Sequence, residues 1–195
     1  QGLSLSSQNG DIYASLLNTT NRTNAGNVTL SGKTIWLTGI NAQSLDGTGG
    51  TVDITATDFF RARGTFVDLN QIEASISTAG ALGGGSIVLR HGGNGETPFV
   101  VGDASLNGTA GVMTRGTEPG DTIAAGNYLY TYTPEGTPAA ELLQLISVPA
   151  PIATDPAPDE ITPNPSPSPD PSPSPSPSPI PSPTPTPTPN EGIEP

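Results

Sequence analysis

Three aspartates, Asp53, Asp58 and Asp68, stand on and just after a strongly alternating stretch of the chain. Carboxylates held at a fixed separation can divide the roles of general acid and base, or share a cation, and a groove lined by them would suit a polysaccharide. The competing reading is plainer: Asp53 points outward from an alternating strand, and the other two solvate a loop. His91, the one histidine, lies in Arg90-His91-Gly92-Gly93-Asn94-Gly95. It has no second ligand for a metal site and no Gly-x-Ser-x-Gly elbow to serve, so it reads as a turn residue. Gly92 to Glu96 begins like a calcium-binding nonapeptide turn, but Thr97 stands where Asp is required and the motif does not recur in tandem. Arg61 and Arg63 flank Ala62 and could meet an anionic glycan, although two arginines in a loop are commonplace. Asn18, Asn21, Asn27 and Asn107 head Asn-x-Thr sequons, which matter only in a host that glycosylates them. No catalytic residue, cofactor or metal site is expected from these patterns, and the chain reads as a non-enzyme.

The elements that would position these side chains are strands. Gly49-Gly50-Thr51-Val52-Asp53-Ile54-Thr55-Ala56 puts Val52, Ile54 and Ala56 on one face, the period-two signature of a strand. Gly26-Asn27-Val28-Thr29-Leu30 and Gly85-Ser86-Ile87-Val88-Leu89 repeat it, with weaker echoes at Gly10 to Ala14 and Gly111 to Met113. From Val28 the chain runs through Leu30, Ile35, Leu37, Ile40 and Ala42, with turns between, and returns to the motif at Val52 after 24 residues. Three short strands per return is the length of one coil of a parallel β-helix. Later returns, 35 residues from Val52 to Ile87 and 25 from Ile87 to Val112, imply inserted loops, the main one expected over Phe59 to Leu69. Inward Val, Ile, Leu and Phe would pile into one apolar column while strand N–H and C=O groups pair with the coils on either side. A sandwich or barrel remains the alternative, because Asn9-Gly10, Asp46-Gly47 and Asn107-Gly108 are hairpin-type dipeptides.

Composition bounds the rest. Apolar residues make up only 32% and charged residues 12%, beside 24 glycines, which suits short strands and tight turns rather than long amphipathic helices. A net charge of −12, with no basic residue after Arg115, disfavours nucleic acid and anionic membrane surfaces as partners. Zero cysteines exclude disulfides and thiolate metal sites. No apolar run approaches the roughly 20 residues of a membrane span.

Of the 23 prolines, 18 lie from Pro151 onward. The expected organisation is an all-β domain over residues 1–149, a right-handed parallel β-helix in which residues 128–148 form a cap, followed by a proline-rich linker over 150–195. Residues 1–25 read as an incomplete first coil with frayed ends, and the start at Gln1 suggests a fragment or a processed chain. Within the cap, Thr137 and Pro138 would open a short apolar helix over Ala139 to Ile146. From Pro163 to Pro189 every second residue is proline, which forbids a ladder and favours polyproline II or disorder.

The copies Gly-Asn-Val-Thr-Leu, Gly-Gly-Thr-Val-Asp-Ile-Thr and Gly-Gly-Gly-Ser-Ile-Val-Leu resemble the filamentous haemagglutinin-like passengers of two-partner secretion. Ser75 to Gly80, Arg90 to Gly93 and Thr97 to Gly111 are more narrowly similar to large cyanobacterial members of that class. Together these segments fall within about residues 20 to 116. The resemblance implies the right-handed coil, passage through an outer-membrane transporter, and display on the cell surface or release as a secreted protein, with surface glycans or another cell surface as partners. Some members carry a caspase-like CHAT protease domain after the repeats, and the proline spacer would lead to it. This chain has no His/Cys pair to which protease activity could be carried over, and no stretch resembling the secretion domain of the class. Three functions therefore stand side by side: a structural or adhesion segment, a scaffold tethered to a CHAT-type protease domain, and a fragment of a β-helical polysaccharide lyase or hydrolase using Asp53, Asp58 or Asp68.

Overall fold

A computed structural model describes residues 2–135 and 142–149. The expected linker over 150–195 and the start of the expected helix lie outside the described residues. The first coil comprises β1 (Leu3–Ser6), β2 (Ile12–Tyr13) and β3 (Leu16–Asn18). The second repeats it as β4 (Val28–Gly32), β5 (Ile35–Leu37) and β6 (Gly39–Asn41). The third is β7 (Val52–Ala56), β8 (Phe60–Ala62), a short β9 (Phe66–Val67) and β10 (Glu73–Ser77). The fourth is more elaborate: β11 (Ile87–His91), β12 (Phe99–Val101), β13 (Gly108–Thr109) and β14 (Val112–Thr114). It is followed by β15 (Thr122–Ile123), β16 (Gly126–Tyr128) and β17 (Leu143–Ser147).

Equivalent strands of successive coils pair side by side, giving three sheets. The first has the order β1-β4-β7-β11-β17, the second β16-β12-β13-β8-β5-β2, and the third β15-β14-β10-β6-β3. All pairs in the first sheet are parallel. The described residues are thus all-β, with three parallel-rich sheets stacked in a repeating pattern, consistent with a parallel β-helix. No helix among the described residues is long and apolar enough to cross a membrane.

The motif copies explain the stacking. Val28, Val52, Ile87 and Leu143 are register partners in the first sheet, as are Leu30, Ile54, Leu89 and Leu145, and all eight side chains are buried. Side chains alternate across a strand, so one apolar residue in every two is enough to fill the interior. Ile35 and Phe60 continue the core from the second sheet, and Ile40, Ile76 and Met113 from the third. The glycines that open the Val52 and Ile87 copies have a steric reason. A Cβ on Gly50 would run into the carbonyl oxygen of Gly26, and one on Gly85 into that of Gly50. Only glycine lets successive coils come this close at the corner.

Several expectations need correction. The weak echoes do not belong to the first sheet: Ile12 lies in the second and Val112 in the third. Ile87 is answered at Leu143, 56 residues on, because β12 to β16 make an excursion in between. The inserted loop begins later than Phe59, since Phe60 is buried in β8 and pairs with Ile35. The insertion proper holds β9, which folds back antiparallel on β10. The stretch expected to be an incomplete coil has a strand in each sheet over residues 2–25, because each of β1, β2 and β3 finds a parallel partner in the second coil. The described part of the expected helix is a strand: β17 pairs in parallel with β11, where Leu143 and Leu145 enter the core at period two. An open ladder beside β11 supplied more hydrogen bonds than a short local helix would.

The dipeptides that favoured hairpins make none. Asn107-Gly108 enters β13, which is parallel to both of its neighbours. Asp46-Gly47 lies on the route between β6 and β7, which belong to different sheets, as do β1 and β2 on either side of Asn9-Gly10. Among the described residues, antiparallel pairing occurs where β9 folds on β10, where β15 covers β14 and β16 covers β12, and in a single bridge between Tyr132 and Leu145 of β17.

Candidate functional site

On the second sheet, alternation that turns Ile12, Ile35 and Phe60 inward must turn their successors outward. Those successors are Tyr13, Trp36 and Arg61, which are register partners across β2, β5 and β8. One period further, Ala62 faces the core and Arg63 faces out. Four side chains from three coils are thereby collected on one external ridge.

The Tyr13 ring meets the Trp36 indole edge-on, with centroids 4.8 Å apart and planes at 89°. The Arg61 and Arg63 guanidinium carbons lie 5.0 Å and 5.2 Å from the Trp36 ring centroid. Each contact lies within cation–π range and contributes about 0.5–1 kcal/mol at an exposed position. Arg61 is fixed further by its Nε–H, which donates to the Leu106 carbonyl at 2.6 Å. Tyr13 remains 62% exposed and Arg63 is exposed as well. The Asp11 carboxylate accepts from Thr34 N and from the Tyr13 hydroxyl. The Tyr13 phenol is held above its ordinary pKa, first by desolvation and then by the Asp11 charge and hydrogen bond.

Charge pairing sets this ridge apart. Of six basic residues, Arg22 pairs with Asp46, Lys33 with Asp58, Arg90 with Asp53 and Arg115 with Asp121. Arg61 and Arg63 are the two without a carboxylate partner among the described residues.

The three aspartates are placed apart. Asp53 projects from β7 onto the outer face of the first sheet, where its Oδ1 accepts from Arg90 Nη1 at 2.6 Å. Asp58 lies in the turn after β7, its Oδ2 3.6 Å from Lys33 Nζ. Asp68 is buried and organises the loop between β9 and β10, accepting from the Asn70 and Ile72 amides and from Ser77 Oγ. Each carboxylate thus has a local structural task, and no group of three or more His, Cys, Asp or Glu suited to a metal ion occurs among the described residues.

His91 corrects its reading as a turn residue, since it is the last residue of β11. It closes β11 on the inward face, where Ala56 and Ser147 stand in the neighbouring strands, and it is fully buried. Its ring packs 5.2 Å from that of Phe99. Gly93 N–H donates to Nδ1 at 3.2 Å, and Asn107 Nδ2 lies 3.0 Å from the same atom. With two donors facing Nδ1, the proton of the neutral ring belongs on Nε2, which has no partner among the described residues. Burial lowers its pKa from 6.5 to about 4. Asn107 is itself buried and bonded to the Phe60 amide, so its sequon is closed to modification in the folded chain, whereas Asn18, Asn21 and Asn27 are exposed.

A cleft of about 530 Å³ runs beside the third sheet between Asn21, Asn41, Gln43, Leu45, Leu69 and Gln71. Its polar floor is committed: Gln43 Nε2 donates to Asn41 Oδ1, and Gln43 Oε1 accepts from the Leu69 amide.

Sequence reasoning singled out Arg61 and Arg63 but passed over Trp36 and Tyr13 as their companions. The signal was available in the coil period applied to outward positions as well as inward ones. In comparisons with known proteins, no family model, curated protein or solved structure matches this chain.

Proposed function

We propose that this chain is a non-enzymatic structural and adhesion segment of an exported surface protein of the filamentous haemagglutinin type, with the coil wound right-handed. The observation that carries the reading is the in-register return of Val28, Val52, Ile87 and Leu143, with close-packed glycine corners before Val52 and Ile87, a construction that lengthens by adding coils and carries a continuous outer surface. The occupation of Asp53 and Asp58 in ion pairs, and of Asp68 in its loop, favours this reading over a polysaccharide lyase or hydrolase.

Location tests it. In cells making the complete gene product, external protease is expected to digest the segment while cytoplasmic markers stay intact; a segment fully protected in intact cells and digested only after lysis would overturn the assignment. A second reading, a scaffold for a CHAT-type protease domain, is favoured by the alternating prolines from Pro163 to Pro189. A His/Cys domain encoded directly downstream would support it.

A further inference from the structure

We propose that the ridge formed by Tyr13, Trp36, Arg61 and Arg63 is a binding site for the carboxylates of an acidic, uronate-bearing glycan. The inference deepens the adhesion reading above and rests on it for its biological setting, although the site itself stands on geometry.

In a chain of net charge −12, the two basic side chains without carboxylate partners among the described residues are gathered on a single indole. Two like charges on one ring repel each other, and an anion bound between them removes that repulsion. Arg61 spends its Nε–H on Leu106, which fixes the side chain and leaves both Nη groups to point elsewhere. Arg63 makes no side-chain hydrogen bond among the described residues, so its fork of N–H donors is uncommitted where it lies over the indole. A planar fork of N–H donors matches a carboxylate in two parallel bonds.

The ridge also has the shape of a polymer's track. Its residues come from successive coils, about 4.8 Å apart along the stack, so the cationic end and the exposed Tyr13 ring lie in line. Tyr13 presents an apolar ring with a polar tip, a suitable surface for a sugar ring next to the one that carries the carboxylate. The protein's overall negative charge works against a broad anionic surface such as a membrane, whereas a local cation pair still captures a single charged group.

The chain holds one tryptophan, and it lies at the centre of the site, so its fluorescence reports occupancy directly. The full chain is titrated with oligogalacturonate, with a neutral maltooligosaccharide of equal length and with dextran sulfate, each at low and high salt. Saturable change of Trp36 emission with oligogalacturonate, weakened by salt and absent with the neutral sugar, is the expected result. The Arg61→Gln, Arg63→Gln double variant should weaken binding at least tenfold and Arg63→Lys severalfold, while Arg22→Gln leaves it unchanged. Far-UV circular dichroism checks that each variant is folded. Equal binding of the neutral sugar, equal binding by the double variant, or no saturable signal overturns the proposal. Saturation by dextran sulfate alone overturns the carboxylate assignment in favour of sulfate. A surface-exposed segment that binds no uronate would refute this site and leave the adhesion reading intact. Uronate binding by a segment found only inside cells would do the reverse.

Discussion

A buried histidine with two donors aimed at one ring nitrogen is a residue whose protonation the fold opposes. Taking a proton on Nδ1 would set it against the Gly93 N–H and the Asn107 amide at once. With a folded pKa of about 4 against an ordinary 6.5, the unfolded chain binds a proton in that window and the folded chain does not. His91 therefore leaves stability undiminished above about pH 6.5 and lowers it progressively as pH falls toward 4, by on the order of 3 kcal/mol across the interval. Urea unfolding at pH 7 and pH 4.5 measures this, with His91→Gln as the control whose side-chain oxygen can still accept from Gly93. The loss on acidification should be clearly smaller in the variant, and an identical loss would show that His91 does not carry it. Period two counted on from Ile87 and Leu89 puts His91 on the inward side, but its full burial depends on Phe99 and Asn107, which later elements of the coil bring against it.

Strands of the same composition have different protection according to their place in the stack. In the first sheet β4 and β7 have a parallel neighbour on both sides, whereas β1 has one neighbour, β4. Leu3 N–H donates to Asn27 and Ser7 N–H to Ser31, so by the alternation of a parallel ladder the Ser4 and Ser6 amides face away from β4. Hydrogen exchange followed by NMR is expected to find the Thr29 and Asp53 amides on the order of a hundredfold slower than those of Ser4 and Ser6. Uniform protection across β1 would mean that its outer edge is covered in solution. The Gly-x-Val and Gly-x-Ile copies made β4, β7 and β11 legible before any coordinates. β17 was not legible, since Leu143 to Ser147 is apolar enough for either a helix or a strand and only the ladder along β11 decides between them.

At the scale of the molecule, stability is shared between neighbouring coils, so the cost of a cavity depends on which coil contains it. Ile54, wholly buried in the third coil, touches the core built by the coils on both sides. Ile54→Ala should cost about 3 kcal/mol, while Leu5→Ala, in a half-buried position of the first coil, should cost about 1 kcal/mol. Urea unfolding monitored both by far-UV circular dichroism and by Trp36 emission checks the numbers and the coupling together. Coincident shifts of the two probes in Ile54→Ala are expected for a single cooperative stack. A fluorescence transition left in place while the dichroism moves would show that the second coil unfolds independently of the third.

What the chain alone determined was its period and its polarity: glycine, then alternating apolar residues, in three strong copies that return to the same sheet. Such information is local, because a strand's two faces are set by neighbouring residues and a glycine corner by a single missing Cβ. The tertiary structure alone decided which residues meet across coils. Asp53, Asp58 and Asp68, close in sequence, were dispersed to Arg90, to Lys33 and to a buried loop. Tyr13, Trp36 and Arg61, remote in sequence, were brought onto one ridge. The reason is the register of parallel strands: it converts a separation of one full coil into direct contact, and no window of sequence shorter than a coil contains it.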